Sequence, residues 1–122
     1  MTEKPIRFVV QRHDREEDPH FDIMLEREGT LRTWSCPAPP GEDGPREVRS
    51  IQDHRITYLS YEGEISGGRG SVRIWDRGTY RSSAWDTEEV VALLHGERLR
   101  GQMVLQRIEG DRWSLTWTKS EQ

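Results

Sequence analysis

The stretch that decides the fold reads Gly101-Gln102-Met103-Val104-Leu105-Gln106-Arg107-Ile108, then Glu109-Gly110-Asp111, then Arg112-Trp113-Ser114-Leu115-Thr116-Trp117-Thr118. Large apolar side chains occupy every second position of the last segment, which is the period of a β-strand with one buried face. The glycine-containing tripeptide before it is typical of a hairpin turn. We therefore predict a hairpin in which Trp113, Leu115 and Trp117 are core residues, because aromatic side chains at this period are more often buried than exposed for base stacking.

Further short segments towards the amino end are rich in β-forming residues and are separated by turn residues. Residues 77–78 read as a turn between two strands, and residues 28–29 as a hairpin turn. Asp86 followed by Thr87-Glu88-Glu89 predicts the start of one brief helix, since Asp is a favoured cap and acidic side chains suit a first turn. Many short strands with little helix indicate an all-β sandwich or barrel. The expected strands are 7–12, 21–28, 30–36, 46–52, 71–76 and 79–82.

The composition limits the class of protein. A chain of 122 residues with 32% hydrophobic and 33% charged residues has room for one domain, 1–122, with a thin core that depends on its five Trp residues. The sequence contains no run of about 20 apolar residues, so we predict no membrane span, and no signal peptide is recognisable. Cys36 is the single cysteine, so a disulfide framework is excluded, and we expect a buried thiol and a cytoplasmic location.

Two loops stand out between the strands. Residues 37–45 contain four of the six prolines and two glycines, so they cannot form regular structure. Residues 66–70 read Ser-Gly-Gly-Arg-Gly, but neither a Lys-Ser/Thr pair nor a helix follows, which excludes a phosphate-binding P-loop. We interpret this second loop either as a mobile segment that closes over a site or as a simple turn of the chain.

The chemistry is expected in His13-Asp14-Arg15-Glu16-Glu17-Asp18-Pro19-His20-Phe21-Asp22. If residues 21–25 form a strand, His20 and Asp22 lie on one face, and the acidic connection allows His13 to return to them. Two imidazoles and a carboxylate form a facial ligand set that leaves open positions on a divalent metal. The competing interpretation is an exposed acidic loop with two surface histidines, since His-x-Asp is common by chance.

The charge distribution gives a weaker indication of the partner. The net charge of −4 argues against general nucleic-acid binding, yet residues 46–81 hold seven basic residues, all Arg, against five acidic ones. Arg makes forked contacts with phosphate oxygens, so this third of the chain is a candidate phosphate-facing groove. An ordinary solvent-exposed surface would explain this surplus of basic over acidic residues equally well.

A family resemblance sharpens these expectations. Phe8-Val9-Val10-Gln11-Arg12-His13-Asp14, His20-Phe21-Asp22-Ile23-Met24-Leu25-Glu26 and Leu31-Arg32-Thr33-Trp34-Ser35-Cys36-Pro37 resemble three successive motifs of the 3′-phosphoesterase domain of bacterial DNA ligase D. Further segments resemble later parts of the same domain in the same order, including Gln52-Asp53-His54, Tyr61-Glu62-Gly63, Ile74-Trp75-Asp76-Arg77-Gly78-Thr79 and Leu94-His95-Gly96. The resemblance favours an antiparallel β-barrel with one short helical segment.

The resemblance also implies the site residues. It implies that His13, His20 and Asp22 bind Mn²⁺ or another divalent metal. It further implies that His54 contacts the phosphate as a catalytic group and that Tyr58 supports it. Additional phosphate-binding groups are expected around them: Gln11, Arg46 and Arg55.

Three positions depart from the family pattern. Met24 stands where the family has an Arg that grips the scissile phosphate, Ala38 replaces a Lys, and Gln52 replaces a Glu. Removing one preorganised donor from such a site typically costs roughly 10²–10³ in rate. Substitute cations are available in the sequence at neighbouring positions: Arg12, Arg55 and Arg69.

Three functional hypotheses follow. The first is a metal-dependent phosphoesterase that removes a terminal ribonucleoside and then the 3′-phosphate from DNA or RNA–DNA primer ends, acting alone or with a separate ligase or polymerase and without a membrane. The second is a non-catalytic barrel that binds metal and a nucleic-acid end or a repair protein, which the loss of the two cations favours. The third is an esterase for a smaller or less charged phosphodiester.

Overall fold

The computed structural model describes residues 5–15, 19–42 and 44–120, and most of them lie in β-strands. The only helical segment among these residues is a 3₁₀ turn, Ile56–Leu59. The strands are β1 (Ile6–Asp14), β2 (His20–Arg27), β3 (Thr30–Cys36), β4 (Arg46–Arg55), β5 (Gly63–Glu64), β6 (Ser71–Trp85), β7 (Glu89–Gly96), β8 (Arg100–Glu109) and β9 (Arg112–Lys119).

The strands close into an antiparallel barrel. Neighbours follow the order β1-β2-β3-β4-β9-β8-β7-β6-β5, and β1 also pairs with β6, so eight strands form the closed ring. The short strand β5 is added to one end of β6. The barrel expected from the family resemblance is confirmed, and closure means that β1 is hydrogen-bonded along both of its edges.

The barrel interior is filled by alternate side chains of every long strand. The hairpin of β8 and β9 has the expected register, with Met103 opposite Trp117 and Leu105 opposite Leu115. The aromatic stripe of β9 is buried as predicted, and Trp113 packs edge-on against Trp34 at 5.6 Å between ring centroids. Cys36 is also buried, in agreement with its expected structural role.

A second, smaller apolar cluster lies on the outer face of the barrel. Val9 on β1, Met24 on β2 and Leu31 on β3 are fully buried there, although each points away from the interior. The 3₁₀ turn covers them with Ile56, Tyr58 and Leu59. Both faces of β1 and β2 are therefore buried at this point, and the 3₁₀ turn is held against the outer wall of the barrel.

Two local predictions are wrong. No helix follows Asp86, although its carboxylate accepts the backbone N–H groups of Glu88 and Glu89 as a helix cap would. The chain enters β7 instead, where Val90 and Val91 pair with β8. Arg77-Gly78 is not a turn either, since β6 runs unbroken through it.

The remaining expectations for the connections agree with the structure. The hairpin turn at Glu28-Gly29 is present, and both residues have positive φ. Residues 37–42 and 44–45 contain no strand or helix. Within the described part of the chain, no helix has the length and apolar character needed to cross a membrane.

Candidate metal centre

The three expected metal ligands meet on the outer face of β1 and β2. His13 is the cross-strand partner of His20, and Gln11 is the partner of Asp22, so the side chains project from the same face in adjacent rows. An Asp22 carboxylate oxygen lies 3.2 Å from His20 Nε2, and the other lies 3.8 Å from His13 Nδ1. One ligand atom from each of the three residues falls within 4.8 Å of the others.

The glycine-rich loop fixes the orientation of His13. The imidazole Nε2 lies 2.7 Å from the backbone oxygen of Arg69. A carbonyl oxygen only accepts hydrogen bonds, so this contact selects the tautomer with a proton on Nε2 and leaves the Nδ1 lone pair on the Asp22 side. The loop at residues 66–70 is thus part of the site rather than a simple turn.

The donor set fits a divalent cation. Asp22 is 3% exposed, and its Oδ1 atom, which lies 3.2 Å from His20 Nε2, has no partner with hydrogen-bond geometry among the described residues. A buried carboxylate oxygen is costly unless a hydrogen bond or a cation compensates it. Two imidazole nitrogens and one carboxylate form a mixed nitrogen and oxygen set that suits Mn²⁺ and similar ions and leaves coordination positions free.

A cleft of about 600 Å³ joins these ligands to the predicted catalytic pair. The rings of His54 and Tyr58 pack edge-on at 5.4 Å between centroids, and His54 Nδ1 lies 3.1 Å from the backbone oxygen of Gln52. If Nδ1 carries the proton for this contact, Nε2 is the free nitrogen. The cleft is lined by His13 and Asp22 on one side and by residues of β4, the 3₁₀ turn and the glycine-rich loop, including His54, Arg55, Tyr58, Tyr61, Ser66 and Arg69.

Gln11 connects the two walls of the cleft. It is 1% exposed, and its Nε2 donates to the backbone oxygens of Tyr58 at 2.9 Å and Tyr61 at 3.0 Å. These bonds tie the end of the 3₁₀ turn to β1, next to the metal ligands. The amide group of Gln11 therefore positions the backbone at Tyr58 and Tyr61.

The expected cations divide into two groups. Arg55 lines the cleft, as does Arg69, whose side chain donates to the backbone oxygen of Ser66 at 2.7 Å. Arg46 does not join the other predicted residues, because its guanidinium donates to Glu42 and to the backbone oxygen of Pro39 outside the cleft. Arg12 is paired with Asp14 at 2.9 Å and lies outside the cleft as well.

The three departures from the family pattern have different surroundings. Met24 is fully buried in the outer apolar cluster, directly opposite Val9. Ala38 lies in the proline-rich loop and does not line the cleft, whereas Gln52 does. The residue at 24 thus contributes to packing beneath the 3₁₀ turn and presents no polar group to the site.

Sequence reasoning missed Tyr61, Ser66 and Thr57 as residues of the cleft. Tyr61 packs edge-on against Tyr58 at 5.6 Å, and its hydroxyl donates to the backbone oxygen of Glu64. The glycine-rich loop was the available signal for Ser66. No pattern in the sequence indicated that this loop meets His13, because the contact depends on the pairing of β5 with β6 and of β6 with β1.

Comparisons with known proteins agree with the resemblance. A family model described as the DNA ligase D 3′-phosphoesterase domain matches residues 11–107. The multifunctional non-homologous end joining protein LigD of Mycobacterium bovis is 37% identical over 126 residues, which cover 92% of this chain and 16% of that protein. The LigD protein of Pseudomonas aeruginosa is 33% identical over 112 residues, which cover 84% of this chain and 13% of that protein. The chain spans about one sixth of the first relative and less of the second.

Proposed function

Because the chain belongs to the DNA ligase D 3′-phosphoesterase domain family, we propose that it is a metal-dependent phosphoesterase that processes the 3′ ends of DNA or of RNA–DNA primer strands. The observation that carries the proposal is the grouping of His13, His20 and Asp22 beside a cleft that His13 and Asp22 line together with the His54–Tyr58 pair. Removal of a terminal ribonucleoside and then of the 3′-phosphate leaves a 3′-hydroxyl. Such an end is a substrate for a ligase or a polymerase during non-homologous end joining.

In this proposal, the metal ligands are His13, His20 and Asp22, and the ion is Mn²⁺ or a similar divalent cation. When bound, such an ion polarises a phosphoryl oxygen and stabilises the charge that develops on it. Asp22 supplies the negative charge that holds the ion, and the Arg69 carbonyl keeps the His13 ring in the required orientation. Closed pairing of β1 on both edges keeps the ligands at a fixed spacing.

His54 and Tyr58 act from the opposite wall. Release of the terminal ribonucleoside breaks the bond between phosphorus and the 5′ oxygen of that ribonucleoside, and the 3′-phosphate stays on the strand. The second hydrolysis breaks the bond between phosphorus and the 3′ oxygen. In each step water supplies the new oxygen on phosphorus, and the departing oxygen must gain a proton. An imidazole is suited to donate that proton or to bind a phosphate oxygen, and a phenol can donate a hydrogen bond to developing charge. Arg55 and Arg69 supply positive charge among the residues that line the cleft, whereas Met24 and Ala38, at the positions of two family cations, supply none.

A second candidate function is a non-catalytic module that binds a metal and a nucleic-acid end. Met24 favours it, because a buried thioether cannot bind a phosphate. Arg46 favours it too, since its guanidinium is engaged by Glu42 at 2.8 Å. The two functions share the metal ligands and differ in whether the bound end is cleaved.

The decisive experiment measures phosphate release from a primer–template that ends in a 3′-phosphate, with and without Mn²⁺. A parallel assay uses a primer that ends in one ribonucleotide. We expect metal-dependent turnover that disappears in His20→Ala and falls roughly 10²–10³-fold in His54→Ala. His95→Ala is the matched control, since His95 is an exposed histidine of β7 that does not line the cleft.

The outcomes separate the candidates. Turnover that needs both Mn²⁺ and His20 supports the esterase. Binding of Mn²⁺ without turnover on either end would reject end processing and leave the non-catalytic module. Turnover on a small phosphodiester alone would instead assign the chain to an esterase with a less charged substrate.

A further inference from the structure

The rim of the barrel next to the metal ligands carries a separate set of cations and aromatic rings. Arg12 on β1 pairs with Phe21 on β2 and with Arg73 on β6, so these three side chains form one cross-strand row. His13 and Val72, which line the cleft, are the neighbouring residues on the same two strands and project from the opposite face. The row therefore begins one residue away from the metal site.

A β-bulge adds an aromatic ring to this rim. The register of β1 against β6 shifts at Val10 and Gln11, whose partners are Asp76 and Ile74, so Trp75 is the extra residue. Bulges redirect side chains at sheet ends and beside functional sites. The Trp75 ring packs edge-on against Phe21 at 5.8 Å, which closes the barrel end below it.

Trp75 in turn holds a guanidinium. The Arg98 Cζ atom lies 4.9 Å from the ring centroid of Trp75, and the residue is exposed. A guanidinium stacked on an indole keeps its N–H donors at its edge, where they can form forked bonds with phosphate oxygens. Preorganisation of this kind lowers the conformational entropy that is lost on binding.

A groove of about 420 Å³ continues from Trp75 and Arg98 across the rim. Its further cationic lining residues are Arg100 and Lys119, and its acidic lining residue within the described part of the chain is Glu42, which is already paired with Arg46. Among the described residues, two more acids lie near this surface: Glu97, which is beside Arg98 in the chain, and Asp14, which is paired with Arg12. Arg73 has no carboxylate partner among the described residues.

We propose that this rim, Arg12, Arg73, Trp75, Arg98, Arg100 and Lys119, binds the phosphate backbone of the nucleic-acid strand whose 3′ end occupies the metal cleft. The inference rests on the proposed function for the identity of the strand. Charge complementarity supports it, because the rim concentrates five cations in a chain whose net charge is −4. Without a bound cation, the described lining of the metal cleft balances Asp22 and Asp53 against Arg55 and Arg69, so these side chains offer little net attraction to a polyanion.

The test uses a fluorescein-labelled single-stranded oligonucleotide and measures anisotropy without added metal, so that no turnover occurs. Binding is titrated at several NaCl concentrations between about 50 and about 200 mM. Each lost phosphate contact should reduce the slope of log K against log salt by about 0.7. We expect Arg73→Ala and Arg98→Ala each to show this change and to bind roughly three- to ten-fold more weakly.

Arg81→Ala is the matched control, because Arg81 is an exposed arginine of the same strand, beyond the rim, next to β7. It should bind like the wild type. Equal losses in Arg81→Ala, or wild-type binding by Arg73→Ala and Arg98→Ala, would overturn the proposal. So would a wild type with no measurable salt-dependent binding.

Measurements of hydrolysis distinguish a failure of this inference from a failure of the proposed function. Mn²⁺-dependent cleavage of bis(4-nitrophenyl) phosphate should be unchanged in Arg73→Ala, while KM for the DNA substrate rises. If no variant cleaves DNA but the salt slopes change as expected, the proposed function fails and the rim remains a strand-binding surface. If DNA is cleaved with an unchanged KM in Arg73→Ala and Arg98→Ala, the rim proposal fails and the esterase stands.

Discussion

The two faces of β1 and β2 carry different kinds of information. The inner face presents Phe8, Val10, Ile23 and Leu25 to the barrel core, all within 1% of complete burial. The outer face presents the site, including His13, His20 and Asp22, on the same ladder of hydrogen bonds. The inner side chains share only size and apolar character, whereas the outer ones are defined by their donor atoms.

The difference teaches how this small barrel separates stability from function. Inner packing fixes the position of the strands, and strand pairing then fixes the distances between the outer ligands. A change on the inner face should act on the free energy of unfolding. A change among the outer ligands should act on metal binding, with little loss of stability.

The largest effect is expected for Asp22→Asn on the outer face. A neutral amide replaces the only carboxylate of the ligand set, so we expect Mn²⁺ affinity to fall by at least ~10²-fold. Stability should be unchanged or higher, because a buried carboxylate without a full set of partners is removed. Titration calorimetry with MnCl₂ and urea unfolding measure the two properties on the same protein.

Leu25→Ala probes the inner face three residues further along β2. Leu25 is fully buried, so its truncation should lower the free energy of unfolding by about 2–5 kcal/mol. The folded protein should bind Mn²⁺ as the wild type does. Leu93→Ala is the control, since Leu93 is 43% exposed and its truncation should change little. A parallel loss of Mn²⁺ affinity under fully folded conditions would show that the two faces are not separable.

Gly70→Ala tests whether the contact of the glycine-rich loop with His13 supports metal binding on the outer face. Gly70 has a φ of +89°, and a Cβ atom there would lie 2.1 Å from the backbone oxygen of Asp14. The loop must move away from β1, and the Arg69 carbonyl then leaves His13. We expect roughly 10–100-fold weaker Mn²⁺ binding, the usual cost of losing an outer partner of a metal ligand.

Gly68→Ala is the control that distinguishes displacement of the loop from backbone strain within the loop. Gly68 also has a positive φ, +69°, but nothing lies within 4 Å of an added Cβ. It should keep most of the wild-type affinity. Similar affinities for the two variants would mean that the contact between the loop and His13 does not support the metal site.

The smallest expected effect is the pH dependence of stability that comes from Tyr80, a residue of the barrel core. Burial raises the pKa of Tyr80 to about 12, and its hydroxyl donates to the backbone oxygen of Glu26 at 2.6 Å. The unfolded phenol has a pKa of about 10. The neutral Tyr80 therefore contributes stability that is fully present below about pH 10 and is lost as the pH rises towards 12. Tyr80→Phe should have a flatter stability curve between about pH 10 and about pH 12, measured by urea unfolding; an unchanged slope would assign the alkaline loss to other groups.

The sequence was sufficient where a local pattern determines the structure. The period-2 stripe Trp113, Leu115 and Trp117 predicted the last hairpin, and Glu28-Gly29 predicted the turn between β2 and β3. The shared face of His20 and Asp22 followed from strand alternation, and the short acidic connection indicated that His13 could return to them. These features depend on neighbours along the chain or on one hairpin.

The errors arose where one residue type serves two structures. Asp86 makes the same carboxylate contacts in a tight turn as in a helix cap, and the following Val90 and Val91 favour a strand. Gly78 was taken as a turn residue, but it lies within β6, where a Cβ atom would come within 2.1 Å of the backbone oxygen of His95. Close approach of two backbones is the second reason for a glycine, and it is invisible without the partner strand.

The site was predictable only in part for a similar reason. The meeting of the glycine-rich loop with His13, and the separation of Arg46 from the cleft, depend on long-range strand pairing. The burial of Met24 beneath the 3₁₀ turn also escaped the sequence, which indicated only a missing cation.

The short seam between β4 and β9 has a consequence for motion. These strands pair only from Arg46 to Arg49, and the Ser50 N–H donates to the backbone oxygen of Asp111 at 2.8 Å. Beyond Ser50, the described pairing of β4 is with β3 alone. Strand segments with one hydrogen-bonded neighbour open locally at a lower free energy than those with two. We therefore expect the amides of residues 51–55 to exchange with solvent before those of residues 8–11. Under the proposed function, the wall that carries His54 would then open locally while the wall of metal ligands stays closed, which gives a cleaved end a path out of the cleft while the ion stays bound.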